Sequence, residues 1–285
     1  MPGRVRAVVL VLALLIPGTH VVGAEAPDPA ASDAATSSAE VPTVIGRALL
    51  EEAARYARDG AAIVTSPLRW KDGDWTMFSA FAVSFGILLA TDGATYTAIQ
   101  HRRSATTDDI SRVTTPFGLG YAWGVAGAML AAGLIAKEPG LRDTGRDAIE
   151  AAVFAGLMTA ILKPVVGRER PDQSDGRTIF HGFTTRYESL PSGHATIAWA
   201  VASVVAMRTD GWIVPTVAYT LATMVAFDRV NDQKHFPSDV FMGAAIGMSV
   251  GRFVVGRHRE QAAEPAGVQV ALVPIPGGIG ARFAF

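Results

Sequence analysis

The feature that most constrains this chain is a succession of six apolar segments, at residues 76–90, 117–136, 148–162, 195–207, 212–227 and 240–255. Glycine, alanine and serine recur through them. Small residues let helix backbones approach closely, which suits a tightly packed bundle in lipid or around a buried core. By length, only 117–136 reaches the roughly 20 residues of a full membrane span. The others are shorter or carry an ionisable residue near one end, such as Asp92, Glu150, Lys163 or Arg208. An apolar fraction of 49% and a mean hydropathy of +0.28 are both high for a soluble enzyme.

The remaining chain divides around these segments. Residues 1–24 read as a secretory signal: Arg4 and Arg6 precede an apolar stretch at 7–16, Pro17 and Gly18 end it, and Val22, Gly23 and Ala24 offer a cleavage site. Residues 25–43 are small and polar and predict a flexible linker. Across 44–75 a lead-in is expected. Val44, Ile45, Ala48, Leu49, Ala53 and Tyr56 have helical spacing, so an amphipathic helix lies on a membrane surface or on the domain. The main domain is expected over 76–257, with a polar loop and short helix near His101–Asp109. Asp108 and Asp109 read as surface or helix-cap residues. In the tail, 258–285, two alternating stretches flank Pro276, Gly277 and Gly278, which predicts a small hairpin. A net charge of −1 without a basic run points to no nucleic-acid partner. The absence of cysteine excludes disulfides and thiolate metal sites.

Residues 163–239 hold three clusters suited to gripping and breaking a phosphate ester. The first contains Lys163, Arg168, Arg170 and Pro171. The second is Pro191, Ser192, Gly193 and His194. The third runs from Arg229 through Lys234 and His235 to Asp239. Lysine, arginine and backbone N–H groups can surround a tetrahedral oxyanion, and two histidines can share the chemistry as nucleophile and proton donor. Arg168 fits either a phosphate-facing or a structural role. Arg177, His181 and Arg186 read as parts of a solvated loop, and Lys234 either tunes the site or faces water.

Together the spacings Lys-x6-Arg-Pro, Pro-Ser-Gly-His and Arg-x5-His-x3-Asp resemble the signature of the type 2 phosphatidic acid phosphatase family, whose superfamily includes vanadium haloperoxidases. The resemblance implies an all-α, six-helix bundle, membrane-embedded, that hydrolyses a phosphomonoester or pyrophosphate, on a lipid of the phosphatidic acid, phosphatidylglycerol phosphate or undecaprenyl pyrophosphate class. It implies His235 as nucleophile, Asp239 accepting the other ring N–H from one helical turn away, and His194 as proton donor and later base. Lys163, Arg170, Ser192, Gly193 and Arg229 would bind the phosphate, with no metal or other cofactor. One position departs from the family pattern: Asp228 stands where serine is usual. A carboxylate there could hold the Arg229 guanidinium or reduce the local positive charge.

Alternative readings are a soluble periplasmic acid phosphatase, a vanadium haloperoxidase and a non-catalytic lipid-binding protein. The expected place is the bacterial cell envelope, either the inner membrane with a periplasm-facing site or the periplasm. A cleaved signal followed by three crossings before Lys163 would instead turn the site to the cytoplasm.

Overall fold

A computed structural model describes residues 41–263, 269–275 and 278–284. Within these residues the chain forms α1 (Val41–Val64), α2 (Asp72–Gln100), α3 (Ala105–Thr114), α4 (Gly120–Ile135), α5 (Pro139–Val166), α6 (Gly193–Arg208), α7 (Ile213–Asn231) and α8 (Pro237–Ala263). Strands β1 (Gln269–Ile275) and β2 (Gly278–Ala284) follow as an antiparallel hairpin, in register from Gln269↔Ala284 to Ile275↔Gly278. The proposed signal and nearly all of the linker lie outside the described residues. Two boundaries differ from expectation: α1 already begins at Val41, and α8 continues through the first residues assigned to the tail.

Local chemistry explains the element ends. Ser104 caps α3 by accepting the Thr107 N–H at 3.3 Å, while Thr107 accepts the Ser104 N–H at 3.0 Å. Pro139 opens α5, where a missing N–H costs nothing. Gly167 closes it in the left-handed conformation, with φ of +57°.

The apolar segments divide differently from their appearance in sequence. Segment 117–136, the one long enough to span, is broken. A 3-10 turn at Thr115–Gly118 precedes α4, and the pair Ala105–Gly118 and Gly120–Ile135 bends by 46° at the break. By contrast α2, α5, α7 and α8 are each long and apolar enough to cross a membrane. Segment 76–90 looked short because Asp92 interrupts it. In the structure Asp92 is buried and paired with Arg168, so the helix runs on to Gln100.

Helix α6 is the central post, packed by α5, α7 and α8, with α4 against α5. Its buried face of Ala195, Ile197, Ala200, Val201, Val204 and Val205 meets Ala148, Ala151, Ala152, Ile246, Val250 and Val254. Three glycines one turn apart bring α8 against α6. A Cβ would lie 2.6 Å from the Ser192 carbonyl oxygen at Gly243, 2.2 Å from that of Thr196 at Gly247, and 2.6 Å from that of Ala200 at Gly251. This is the small-residue contact that lets helices touch backbone to backbone.

The end of the bundle remote from the three sequence clusters carries a network of paired charges. Glu150 is fully buried 2.8 Å from Arg55, and His258 bridges Asp147 (Nδ1 to Oδ1, 2.7 Å) and Asp59 (Nε2 to Oδ2, 3.1 Å). Arg257 also pairs with Asp59, and Arg208 with Asp147. Ligating atoms of Asp59, Glu150 and His258 lie within 4.8 Å of one another, but arginines already face both carboxylates. With Tyr56 against Phe154 at 5.7 Å, this network seats α1 on α5 and α8.

The glycine contact makes a direct prediction. Gly247→Ala should destabilise the protein by about 1–3 kcal/mol, the scale of overpacking. Gly256→Ala, whose Cβ meets nothing within 4 Å, should be neutral or stabilising by up to about 1 kcal/mol. Thermal unfolding of the two variants in one detergent checks the difference.

Candidate active site

The three clusters converge at one end of the bundle because each sits where a helix starts or stops. Lys163 lies in the last turn of α5, His194 in the first turn of α6 and Arg229 in the last turn of α7, while Asp239 is in the first turn of α8. Between α5 and α6 the loop 167–192 folds back on itself. Arg168 bridges Phe180, His181 meets Glu169 at 2.6 Å and stacks on Tyr187 at 4.2 Å between centroids, and Phe183 projects with 90% of its surface exposed. His181 is thus tied to residues of its own loop while its ring stays exposed. Two further bonds tie the clusters together. The Ser192 N–H donates to the Asp239 carbonyl at 3.0 Å, and the Asp172 N–H donates to the Gln233 carbonyl at 3.2 Å. Lys234 pairs with Asp172 at 2.6 Å, which gives it a structural role.

His235 lies in the turn before α8, not within it. The one-helical-turn argument for its bond to Asp239 therefore fails in detail, although the two side chains do face each other. Its Nδ1 is 3.6 Å from Asp239 Oδ2, beyond hydrogen-bond range. That oxygen already accepts the Ser189 hydroxyl at 2.6 Å and the Phe236 N–H at 2.8 Å, while Oδ1 accepts Arg168 Nη1 at 2.6 Å. His235 is almost wholly buried. Burial, aided by the cations Arg229 and Lys163, pushes its pKa below the ordinary histidine value despite the opposing pull of Asp239. The ring is thus neutral at pH 7, as a nucleophile requires.

The cations acting on the His194 ring are Arg229, Lys163 and Arg170. Neither Lys163 nor Arg170 forms an ion pair among the described residues, and the nearest carboxylate to Arg229 is Asp232 at 3.8 Å. Lys163 Nζ donates to the Glu188 carbonyl at 2.8 Å, so it is held at the site rather than extended to an interface. The Ser192 hydroxyl and Arg229 Nε are buried with no hydrogen-bond partner among the described residues. Gly193 opens α6, so backbone N–H groups of its first turn also face this end. Cations and donors in such excess over carboxylates can bind a dianionic tetrahedral group, and a neutral imidazole beside them can attack it.

Two positions with alternative readings are placed by the structure. Asp228 does not hold Arg229; it is buried and accepts the Thr114 hydroxyl from α3. Arg168 does not face phosphate. It is fully buried between Asp92 and Asp239, at 2.6 Å from each. Sequence reasoning missed four supporting residues. Asp92, Ser189 and Ser238 bond around Asp239 and Arg168, and a Cβ on Gly118 would lie 2.8 Å from that of His194. None of the four has a spacing signal that would mark it.

An all-α bundle with three cationic clusters around two histidines defines a phosphoryl-transfer protein of the membrane phosphatase type. The sequence matches the PAP2 superfamily over residues 145–262, which takes in most of α5 and all of α6, α7 and α8. It is 30% identical over 199 residues to the lipid A 1-phosphatase of Rhizobium etli, covering 64% of this chain and 82% of that one. It is 34% identical over 113 residues to the decaprenylphosphoryl-5-phosphoribose phosphatase of Mycobacterium tuberculosis, covering 39% of this chain and 60% of that one. In fold it is similar to a transmembrane PAP2-type phosphatidylglycerolphosphate phosphatase from Bacillus subtilis, with a TM-score of 0.53, 20% identity, and coverage of 66% of this chain and 98% of that one. The chain belongs to the PAP2 superfamily.

Because Asp228 serves Thr114, Asp228→Asn should leave KM for a phosphate ester unchanged. Arg229→Gln, one residue on, should lower kcat by about 10²- to 10³-fold, the cost of one oxyanion donor. Steady-state kinetics of the two variants side by side checks this.

Proposed function

We propose that the protein is a membrane phosphatase that removes the phosphomonoester of a membrane lipid, with the 1-phosphate of lipid A as its first candidate substrate. The observation that carries this reading is the meeting of Lys163, Arg170 and Arg229 around His194 and His235 at one end of a helical bundle with several apolar spans. The choice of lipid rests on the similarity to the Rhizobium etli enzyme across most of that enzyme's length.

In the proposed mechanism a ring nitrogen of His235 attacks phosphorus as the ester P–O bond breaks. The electron pair leaves with the ester oxygen, which takes a proton from His194. His194 then removes a proton from water, the hydroxide attacks phosphorus, the P–N bond breaks and inorganic phosphate departs. Lys163, Arg170, Arg229, Ser192 and the Gly193 N–H bind the oxygens whose charge grows in each transition state. One such donor contributes about 2.7–4 kcal/mol.

The distribution of charge favours a periplasmic site. Arg55, Arg58, Arg69, Lys71, Lys137, Arg142, Arg146, Arg208, Arg257 and Arg259 belong to the far end, where α1, α4 and α6 meet the starts of α2 and α5 and the end of α8. Outside the cradle the site end has Arg102, Arg103, Arg112, Arg168, Arg177, Arg186 and Lys234. Basic residues concentrate on the cytoplasmic side, so the far end and α1 are cytoplasmic in this proposal, a placement that a cleaved secretory signal at residues 1–24 would reverse. The chain lacks cysteine, which makes the test direct. Phe183→Cys should react with a membrane-impermeant maleimide in intact spheroplasts, and Leu68→Cys only after permeabilisation. The reverse pattern places the site in the cytoplasm.

For the activity, purified protein with a chelator should release phosphate from lipid A and more slowly from phosphatidic acid, phosphatidylglycerol phosphate, undecaprenyl pyrophosphate or p-nitrophenyl phosphate. His235→Ala should release none. Protonation blocks the nucleophile, whose pKa burial depresses, so the acid limb of kcat/KM should lie below the ordinary histidine range, and loss of the His194 proton that the leaving oxygen needs should set the alkaline limb. Release by His235→Ala at the wild-type rate, or none by wild type from any ester, contradicts the reading.

A further inference from the structure

Three charged side chains without exposed surface form a line behind His235. Asp92 comes from the last third of α2, Arg168 from the loop after α5, and Asp239 from the first turn of α8. Arg168 Nη2 donates to Asp92 Oδ2 at 2.6 Å, and its Nη1 donates to Asp239 Oδ1 at 2.6 Å. The guanidinium lies over the Phe236 ring, 4.1 Å from its centroid. Asp92 Oδ1 accepts the Ser238 backbone N–H at 2.9 Å, and Oδ2 also accepts the Ser238 hydroxyl. One carboxylate from α2 therefore holds both the arginine and the first turn of α8, beside Asp239. Asp92 lies outside the residues matched to the PAP2 superfamily.

The charge balance suggests what this line does. Arg168 alone beside Asp239 would cancel the carboxylate that faces the His235 ring. With Asp92 on its other side, Arg168 is already neutralised and the group Asp92–Arg168–Asp239 carries a net single negative charge. In a buried site an unbalanced charge is costly until a counter-charge appears. When His235 bonds to phosphorus its ring becomes cationic while Nδ1–H remains toward Asp239, and the balance closes.

We propose that Asp92 and Arg168 are positioning residues for phosphoryl transfer. Asp92 neutralises Arg168, and the pair holds Asp239 in place with its charge available to the His235 ring. The proposal rests on the phosphatase reading above. The charged and titratable groups facing His235 are Asp239 from α8, Arg229 from α7, Lys163 from α5 and His194 from α6.

The test compares Asp92→Asn, Arg168→Gln, the double variant and Asp92→Glu, each first shown to unfold cooperatively in detergent. Asp92→Asn should lower kcat by about 10- to 100-fold, the scale of residues that orient a reactive group from behind, with KM little changed. Its acid limb should move to lower pH, because losing one negative charge destabilises the imidazolium. The double variant should recover part of kcat, since Asp239 alone restores the net negative charge, and Asp92→Glu should stay near wild type. A double variant slower than both singles, with an unmoved acid limb, assigns the line to packing alone and overturns the proposal. A second readout needs no turnover. In ¹⁵N-histidine NMR, with His235 assigned by its loss in His235→Ala, the wild-type ring should favour Nδ1–H and Asp92→Asn should weaken that preference. An unchanged tautomer and titration overturn the proposal even if no ester is hydrolysed, whereas wild-type inactivity alone overturns only the phosphatase reading.

Discussion

The backbone contact between α6 and α8 is the constraint on which the rest of the structure depends. Gly243, Gly247 and Gly251 let the two helices touch along their length. Their starting ends are therefore fixed to each other, and the Ser192 N–H reaches the Asp239 carbonyl. One helix brings Ser192, Gly193 and His194 to the site, and the other brings Asp239 with His235 just ahead of it. A larger residue at any of these glycines would separate the two histidines before it disturbed any catalytic group directly. The site is thus built from backbone proximity first and side-chain chemistry second.

Charge is handled differently at the two ends of the bundle. At the far end each buried carboxylate meets a cation, and Asp59, Asp147 and Glu150 with Arg55, Arg208, Arg257 and His258 hold α1 on the domain. At the site end Lys163 and Arg170 form no ion pair among the described residues and Arg229 meets Asp232 at 3.8 Å, while Ser192 and Arg229 offer buried donors without partners among the described residues. Buried polar groups normally find partners. A cluster that leaves several donors and cations free in one place is arranged for an anion that arrives from outside. Asp92, Arg168 and Asp239 lie between these regimes, paired with one another yet carrying one net negative charge toward His235.

The chemistry of the site was legible in sequence because it depends on short spacings. Lys163 and Arg170, Ser192 to His194, and Arg229, His235 and Asp239 each sit at helix ends and the turns that join them, and all lie at the same end of the bundle. Residues that support them were not legible. Asp92 meets Arg168 across 76 positions, and Ser189 meets Asp239 across 50. Only the packing of α2 and the return of loop 167–192 bring them together. Helix lengths misled for a related reason. A buried charge such as Asp92 looks like the end of an apolar segment until its partner is known, and Gly118 and Gly120, which flank the break at Leu119 just after Pro116, are absorbed into one continuous apolar segment at 117–136. The role of Asp228 was misread because adjacency in sequence suggested Arg229 as its partner, whereas neighbours on a helix point in different directions and α3 supplies Thr114.

The central claim is that His235 carries the phosphoryl group between substrate and water. The most direct measurement is rapid quenching with substrate labelled in the departing phosphate, followed by mapping of the label on the protein. The account predicts label on His235, stable in base and lost in acid as a phosphoramidate is, and absent from His235→Ala. Label on another residue, or phosphate release from substrate with no labelled protein at any quench time, would contradict it.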